Sequence, residues 1–137
     1  MTGFTQEQLD IETLFHDTWD LLTPAIPVAH DNESYDPVSS DVTEWVRLVV
    51  RNGDAEKKNI SSANNKYRYK GVIFLQIFTK EGTGSGRANE IADIAAPIFR
   101  DKIYSNIHFS VPAVTKVGNS NGWYQVNLNC GFYREDN

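Results

Sequence analysis

Apolar residues recur at two different periods along this chain, and the changes of period mark its elements. From Thr5, which makes a capping-box spacing with Gln8, the residues Ile11, Leu14, Phe15, Thr18, Trp19 and Leu22 fall on one helical face. Glu12, Thr13, His16, Asp17 and Asp20 fall on the other. Thr23-Pro24 stops this helix, since a residue before proline avoids helical dihedrals. From Glu44 to Asn52 the period drops to two: Val46, Leu48 and Val50 share one strand face, and Trp45, Arg47, Val49 and Arg51 the other. A second strand, Tyr67 to Thr79, holds Val72-Ile73-Phe74-Leu75 without alternation, which predicts cover on both faces.

The turn Gly82-Thr83-Gly84-Ser85-Gly86 then leads into a second helix, Arg87 to Arg100. Its stripe is Ala88, Ile91, Ala92, Ala95, Ile98 and Phe99, which predicts packing on the sheet that holds the Tyr67 strand. Pro97 removes a helix hydrogen bond, so either a kink near Asp93 or a fresh turn from Ala96 is expected. Two strands close the chain, Ile107 to Val117 and Gly122 to Tyr133, joined through Gly118-Asn119-Ser120-Asn121-Gly122. The first directs Ile107, Phe109 and Val111 to the core, and Pro112 makes it an edge strand or an irregular one. The second alternates Tyr124, Val126, Leu128, Cys130 and Phe132 with polar or small residues, the mark of a half-buried strand.

These elements predict a single α+β domain over residues 1–137, with the order α-β-β-α-β-β. Hairpin connections imply a mostly antiparallel four-stranded sheet with both helices packed on it. Two connections are longer than such a fold needs. Residues 24–43, with Pro24, Pro27 and Pro37, read as an extended arm that covers an edge or reaches a neighbour. Residues 53–66 follow the turn signal Asn52-Gly53-Asp54 and read as a long, polar hairpin loop.

Composition narrows the function classes. A net charge of −5 argues against a protein that wraps nucleic acid in positive charge. With one cysteine, Cys130, no disulfide can form within the chain, as suits a reducing cytoplasm. The start, Met1-Thr2-Gly3-Phe4-Thr5, has no basic and apolar signal regions, and no run reaches the ~18 apolar residues of a membrane span. A soluble protein made in the cytoplasm, with no membrane partner, is expected.

Candidate chemistry is sparse. The glycine turn before the second helix has the place of an anion site, but its spacing matches neither the Walker nor the dinucleotide pattern. His16 and Asp20 lie four residues apart on the polar helix face, and no third metal ligand is near in sequence. His30 stands between acidic neighbours in the arm, and His108 on the polar side of a strand. Cys130, on an inward position, reads as a core residue, and Asn59-Ile60-Ser61 carries no weight as a glycosylation site without a secretory signal. No catalytic residue, metal site or cofactor is expected, so the chain reads as a binding or structural module. Its basic residues gather on the first hairpin: Arg47, Arg51, Lys57, Lys58, Arg68 and Lys70. They are either solvated strand charges or a contact surface for an acidic partner.

Taken in order, the opening helix, Tyr35-Asp36-Pro37 in the arm, Glu44-Trp45-Val46-Arg47 and Tyr67-Arg68-Tyr69-Lys70-Gly71 form one pattern. It continues through Gln76-Ile77-Phe78, the glycine turn, the helix Ala88 to Arg100 and Gly122-Trp123-Tyr124-Gln125-Val126. In this order and spacing the chain resembles the tail terminator (tail completion, head–tail joining) proteins of long-tailed phages and prophages. The resemblance implies a non-enzymatic virion protein that assembles as a ring, often a hexamer, on the head-proximal end of the tail tube. Such a ring stops tube polymerisation, meets the head connector protein and lets DNA pass through its lumen. For contacts with the tube or with neighbouring subunits it points to Tyr35, Arg47, Arg51, Asp54, Lys57, Lys58 and Arg68. The length and polarity of the 53–66 loop depart from the family pattern.

Three other readings remain open at this point. One is a different head–tail connector subunit. A second is a small nucleic-acid-binding module that stacks bases on Trp45, Tyr67, Tyr69 and Trp123. The third is a small hydrolase or transferase built on His16, Asp17 or Asp20.

Overall fold

The computed structural model describes residues 3–22, 26–35, 42–58, 66–82 and 84–136. Its elements are α1 (Phe4–Leu22), β1 (Val28–His30), β2 (Glu44–Lys57), β3 (Tyr67–Lys80), α2 (Gly86–Phe99), β4 (Ile103–Tyr104), β5 (Ile107–Phe109), β6 (Ala113–Ser120) and β7 (Trp123–Asp136). The α+β class holds, but the sheet has seven strands where four were expected. Its order is β1-β2-β3-β7-β5-β4, with β6 also paired to β7. The sheet is mixed, because β1 runs parallel to β2 while the other pairs are antiparallel.

Each extra strand has a local cause. β1 arises in the expected arm, where Val28, Ala29 and His30 pair with Val46, Arg47 and Leu48. Three residues are too few to show a period of two. The expected strand Ile107–Val117 breaks between Phe109 and Ala113, around the hydrogen-bond-deficient Pro112, into β5 and β6. Val111, expected in the core, is consequently 62% exposed. β4 is added by a two-residue hairpin whose turn residues, Ser105 and Asn106, both have positive φ. The β6–β7 turn is Asn121-Gly122, again with positive φ at both positions. It is shorter than the five-residue connection expected, because β6 continues to Ser120 across a bulge between Lys116 and Gly118.

The first hairpin also differs. Asn52-Gly53-Asp54 is a bulge within β2, after which pairing resumes at Ala55–Tyr69 and runs to Lys57–Tyr67. What remains of the loop begins at Lys58, whose amide donates to the Lys66 carbonyl at 2.7 Å. Residues 59–65, including Asn59-Ile60-Ser61, lie outside the described residues, as do Asp36, Pro37 and the Thr23-Pro24 stop. α1 begins at Phe4, one residue ahead of the expected Thr5 cap, with the Gly3 carbonyl accepting from the Glu7 amide. α2 runs as one helix through Pro97, which falls in its last turn.

Both helices lie on one face of the sheet. Ile11, Phe15 and Trp19 of α1 and the whole expected stripe of α2 are buried against Val46, Leu48, Ile73, Leu75, Ile77, Val126 and Leu128. β3 therefore alternates after all: Ile73, Leu75 and Ile77 are buried, while Val72, Phe74, Gln76 and Phe78 are half-buried on the far face. The expectation of full cover on both faces fails there, because among the described residues no helix lies on that side. β7 alternates as its sequence predicts, and Cys130 is buried in the core. Burial pushes the Cys130 thiol up in pKa, as expected of a packing residue rather than a nucleophile.

Ion pairs fasten the helices to the sheet. Arg134 and Glu7, each 1% exposed, bond at 2.5 Å from Nε to Oε2. Arg134 also bonds Asp136, and Asn52 donates to the second Glu7 oxygen at 2.8 Å. The guanidinium lies 4.4 Å from the Tyr69 ring centroid and 5.2 Å from that of Phe4. Burial alone would disfavour its charge, but the Glu7 and Asp136 hydrogen bonds outweigh burial and raise its pKa. At the start of α2, Arg87 grips Glu44 with two bonds of 2.7 and 2.8 Å.

Candidate functional site

The far face of the sheet carries the residues that sequence pointed to, distributed in three places. At the β1–β2 edge, Tyr35 and Arg47 converge on Trp45. The Tyr35 and Trp45 ring centroids are 4.9 Å apart, and the Arg47 guanidinium lies 5.3 Å from the Trp45 ring. Trp45 stacks on Phe78 at 4.1 Å and meets Trp123 edge-on, which makes a second, smaller apolar cluster on this face. Among the described residues, three buried polar atoms here have no hydrogen-bond partner: the Tyr35 hydroxyl, Trp45 Nε1 and Arg47 Nε.

In the middle of the face, the β2 bulge sets Gly53 and Asp54 at the rim of a shallow concavity of about 450 Å³. Lys70, His108, Ser110 and Tyr133 line the rest. The His108 ring stacks on Tyr133 at 4.6 Å, which accounts for that histidine. Arg51 is exposed on the same face, in register with Val72.

At the far end of the hairpin, Lys57 and Lys58 are exposed, and Arg68 bonds Glu135 at 3.0 and 2.5 Å while its guanidinium covers Tyr133. The Arg68 bond holds the Glu135 carboxyl below its usual range. Lys70 reaches Glu56 at 3.7 Å. The basic concentration seen in the sequence is thus partly consumed by neighbouring carboxylates. Among the described residues, no ion pair engages Arg51, Lys57 or Lys58.

Two features of the surface had no sequence signal. Among the described residues β6 is paired only on its β7 side, which leaves its outer edge open, and Val111, Val114 and Val117 along this segment are 62, 47 and 55% exposed. Opposite, the outer surface between the helices forms a groove of about 490 Å³ lined by Thr18, Leu22, Ile94, Pro97, Asp93 and Lys102.

A phage tail terminator protein family model matches residues 10–129, which takes in α1 from Asp10 onward, all of α2, β1 to β6 and half of β7. The chain belongs to the phage tail terminator protein family. It is therefore a structural component of a phage tail. A solved structure with 18% sequence identity superposes with a TM-score of 0.70 over 98% of each chain, which shows that the fold recurs as a whole. No curated protein matches the sequence.

The structure also bears on the other readings. Trp45 and Trp123 on the far face are 5% and 8% exposed, Tyr69 on the helix side lies against Phe4 and Arg134, and Tyr67 is 38% exposed, so the four do not form one open aromatic platform for bases. The glycine turn is accounted for by backbone geometry, since Gly82 and Gly84 both have positive φ. Among the described residues, no group of three or more metal-ligating side chains comes together.

Proposed function

We propose that this tail terminator caps the tail tube as a closed hexameric ring, stops tube growth and presents its opposite surface to the head connector. Membership of the family is the observation that carries this reading. The open β6 edge supports a specific way of closing the ring. Val114 and Val117 of one subunit enter the groove between α1 and α2 of the next, against Leu22, Ile94 and Pro97. Lys116 on the edge then pairs with Asp93, which lines the groove together with Lys102. This contact joins unlike surfaces, so it closes into a ring when the rotation per subunit allows. Each interface need be only modest, because ring closure turns the last contacts intramolecular.

In the same reading the hairpin end with Lys57, Lys58 and Arg68, together with Arg51 and Asp54, meets the acidic rim of the tube protein. Tyr35 and Arg47, which converge on Trp45, meet a neighbouring subunit. The net charge of −5 suits a lumen through which DNA slides without being held.

Light scattering over a range of concentrations and salt strengths, with electron microscopy of the same sample, tests the ring. Closed rings with a central hole are expected. Val114→Asp should weaken assembly at least tenfold while shifting monomer stability by no more than about 0.5 kcal/mol, as for other surface changes. Rings that survive Val114→Asp and Val117→Asp alike would rule out the β6 edge as the interface.

A further inference from the structure

The two histidines at the junction of α1 and β1 are arranged as a pair. His16 Nε2 and His30 Nε2 face each other at 3.0 Å. Each ring is held from behind by a carboxylate: His16 Nδ1 lies 3.2 Å from Asp20 Oδ1, and His30 Nδ1 lies 3.1 Å from Glu33 Oε1. A carboxylate oxygen only accepts, so each Nδ1 carries the ring proton. With both Nδ1 atoms engaged, the two Nε2 atoms share one gap, which takes either a further ring proton, as an N–H···N bond, or a metal cation. Histidine metal ligands characteristically donate their other N–H to a carboxylate, which fixes tautomer and orientation.

We propose that His16 and His30 form a two-imidazole site for a borderline divalent transition-metal ion, with zinc as the natural occupant. Metal–nitrogen bonds of about 2.0–2.1 Å put two ligand atoms about 2.9 Å apart at a right angle and about 3.3 Å apart in a tetrahedron. The observed 3.0 Å falls within that span. The histidine side chains are 30% and 27% exposed, so water can complete the coordination sphere. Charge favours a cation here, because Asp20 on α1 and Glu33 after β1 both back the site. The nearby positive group is Arg47 of β2, whose Nη2 donates to the Glu33 carbonyl at 3.5 Å. A bound ion cross-links α1 to the strand that begins the arm, next to Tyr35 and Trp45. The sequence shows only half of this: His16 and Asp20 are legible as an i, i+4 pair, and the fold adds His30 and Glu33.

Equilibrium dialysis and thermal melting of the full chain with zinc chloride at about pH 7.5 test the site. One zinc per chain and a melting temperature that rises with zinc are expected. His16→Gln and His30→Gln should each remove the binding, and Glu33→Ala should weaken it roughly tenfold. His108→Gln, far from the site, should leave it unchanged. No zinc uptake by the wild-type chain would overturn the proposal, as would uptake that survives both His16→Gln and His30→Gln. Loss of uptake in His108→Gln would place the metal elsewhere and overturn it equally.

Discussion

Arg134→Met is expected to destabilise the protein by about 3–5 kcal/mol, because it strands the Glu7 carboxylate in the core without its cation. In thermal unfolding this corresponds to a loss on the order of 10 °C for a domain of this size. Both partners are 1% exposed, and they join the first turn of α1 to the end of β7 across nearly the whole chain. Breaking one member costs more than the pair contributes, since what remains is a buried charge rather than a missing bond. A double variant, Glu7→Leu with Arg134→Met, should therefore recover more than half of the loss. It removes both charges of the buried pair, and the exposed Asn52, which bonds Glu7, turns to water. Asp136, left without its Arg134 bond, keeps the recovery incomplete. If the double variant is less stable than either single one, the pair acts through packing and the electrostatic account fails.

Gly71→Ala should cost about 1–3 kcal/mol, in the range of an overpacked core position. A Cβ at residue 71 would lie 2.4 Å from Phe132 Cζ and 2.7 Å from the Arg51 carbonyl oxygen. The ring of Phe132, paired across from Gly71 in β7, occupies the space that any side chain would need. Combining Gly71→Ala with Phe132→Leu should restore only part of the stability, because the Arg51 carbonyl belongs to the sheet backbone and has little room to retreat. Gly131→Ala offers the comparison: its nearest neighbour would be the Ser110 hydroxyl at 3.3 Å, and a milder effect is expected from chemical denaturation of both variants. Equal losses at the two glycines would contradict the packing argument.

The long elements were legible because their periods repeat often enough to outweigh local noise. The α2 stripe is buried as the sequence predicts, and β7 alternates from Val126 to Phe132 as predicted, with Tyr124 only half-buried. β1 and β4, at three and two residues, have no period to read, and they form only because β2 and β5 offer them partners. Asn52-Gly53 carries a turn signal, yet β3 continues to pair beyond it, so the signal is spent on a bulge. Pro112 was rightly marked as irregular, but its effect is a strand break that turns Val111 outward.

The Glu7–Arg134 pair was missed although a signal existed. Arg134 extends the inward series of Val126, Leu128, Cys130 and Phe132, and Glu7 stands one helical turn before Ile11 on the buried face. Two opposite charges on two core-facing stripes are a reason to expect them to meet. The contact candidates fare differently, since a pattern of basic residues does not say which of them neighbouring carboxylates will claim. Arg68 is claimed by Glu135, while Arg51, Lys57 and Lys58 remain on the surface. The open β6 edge needed the sheet order, which no stretch of sequence contains.

The central claim is that this chain ends a tail tube. The direct measurement is electron microscopy of tail tubes polymerised from their own tube protein, with and without this protein added. The account predicts a ring at one end of each tube and a halt to further growth from that end. Tubes that lengthen unchecked, with no added density at either end, would contradict it.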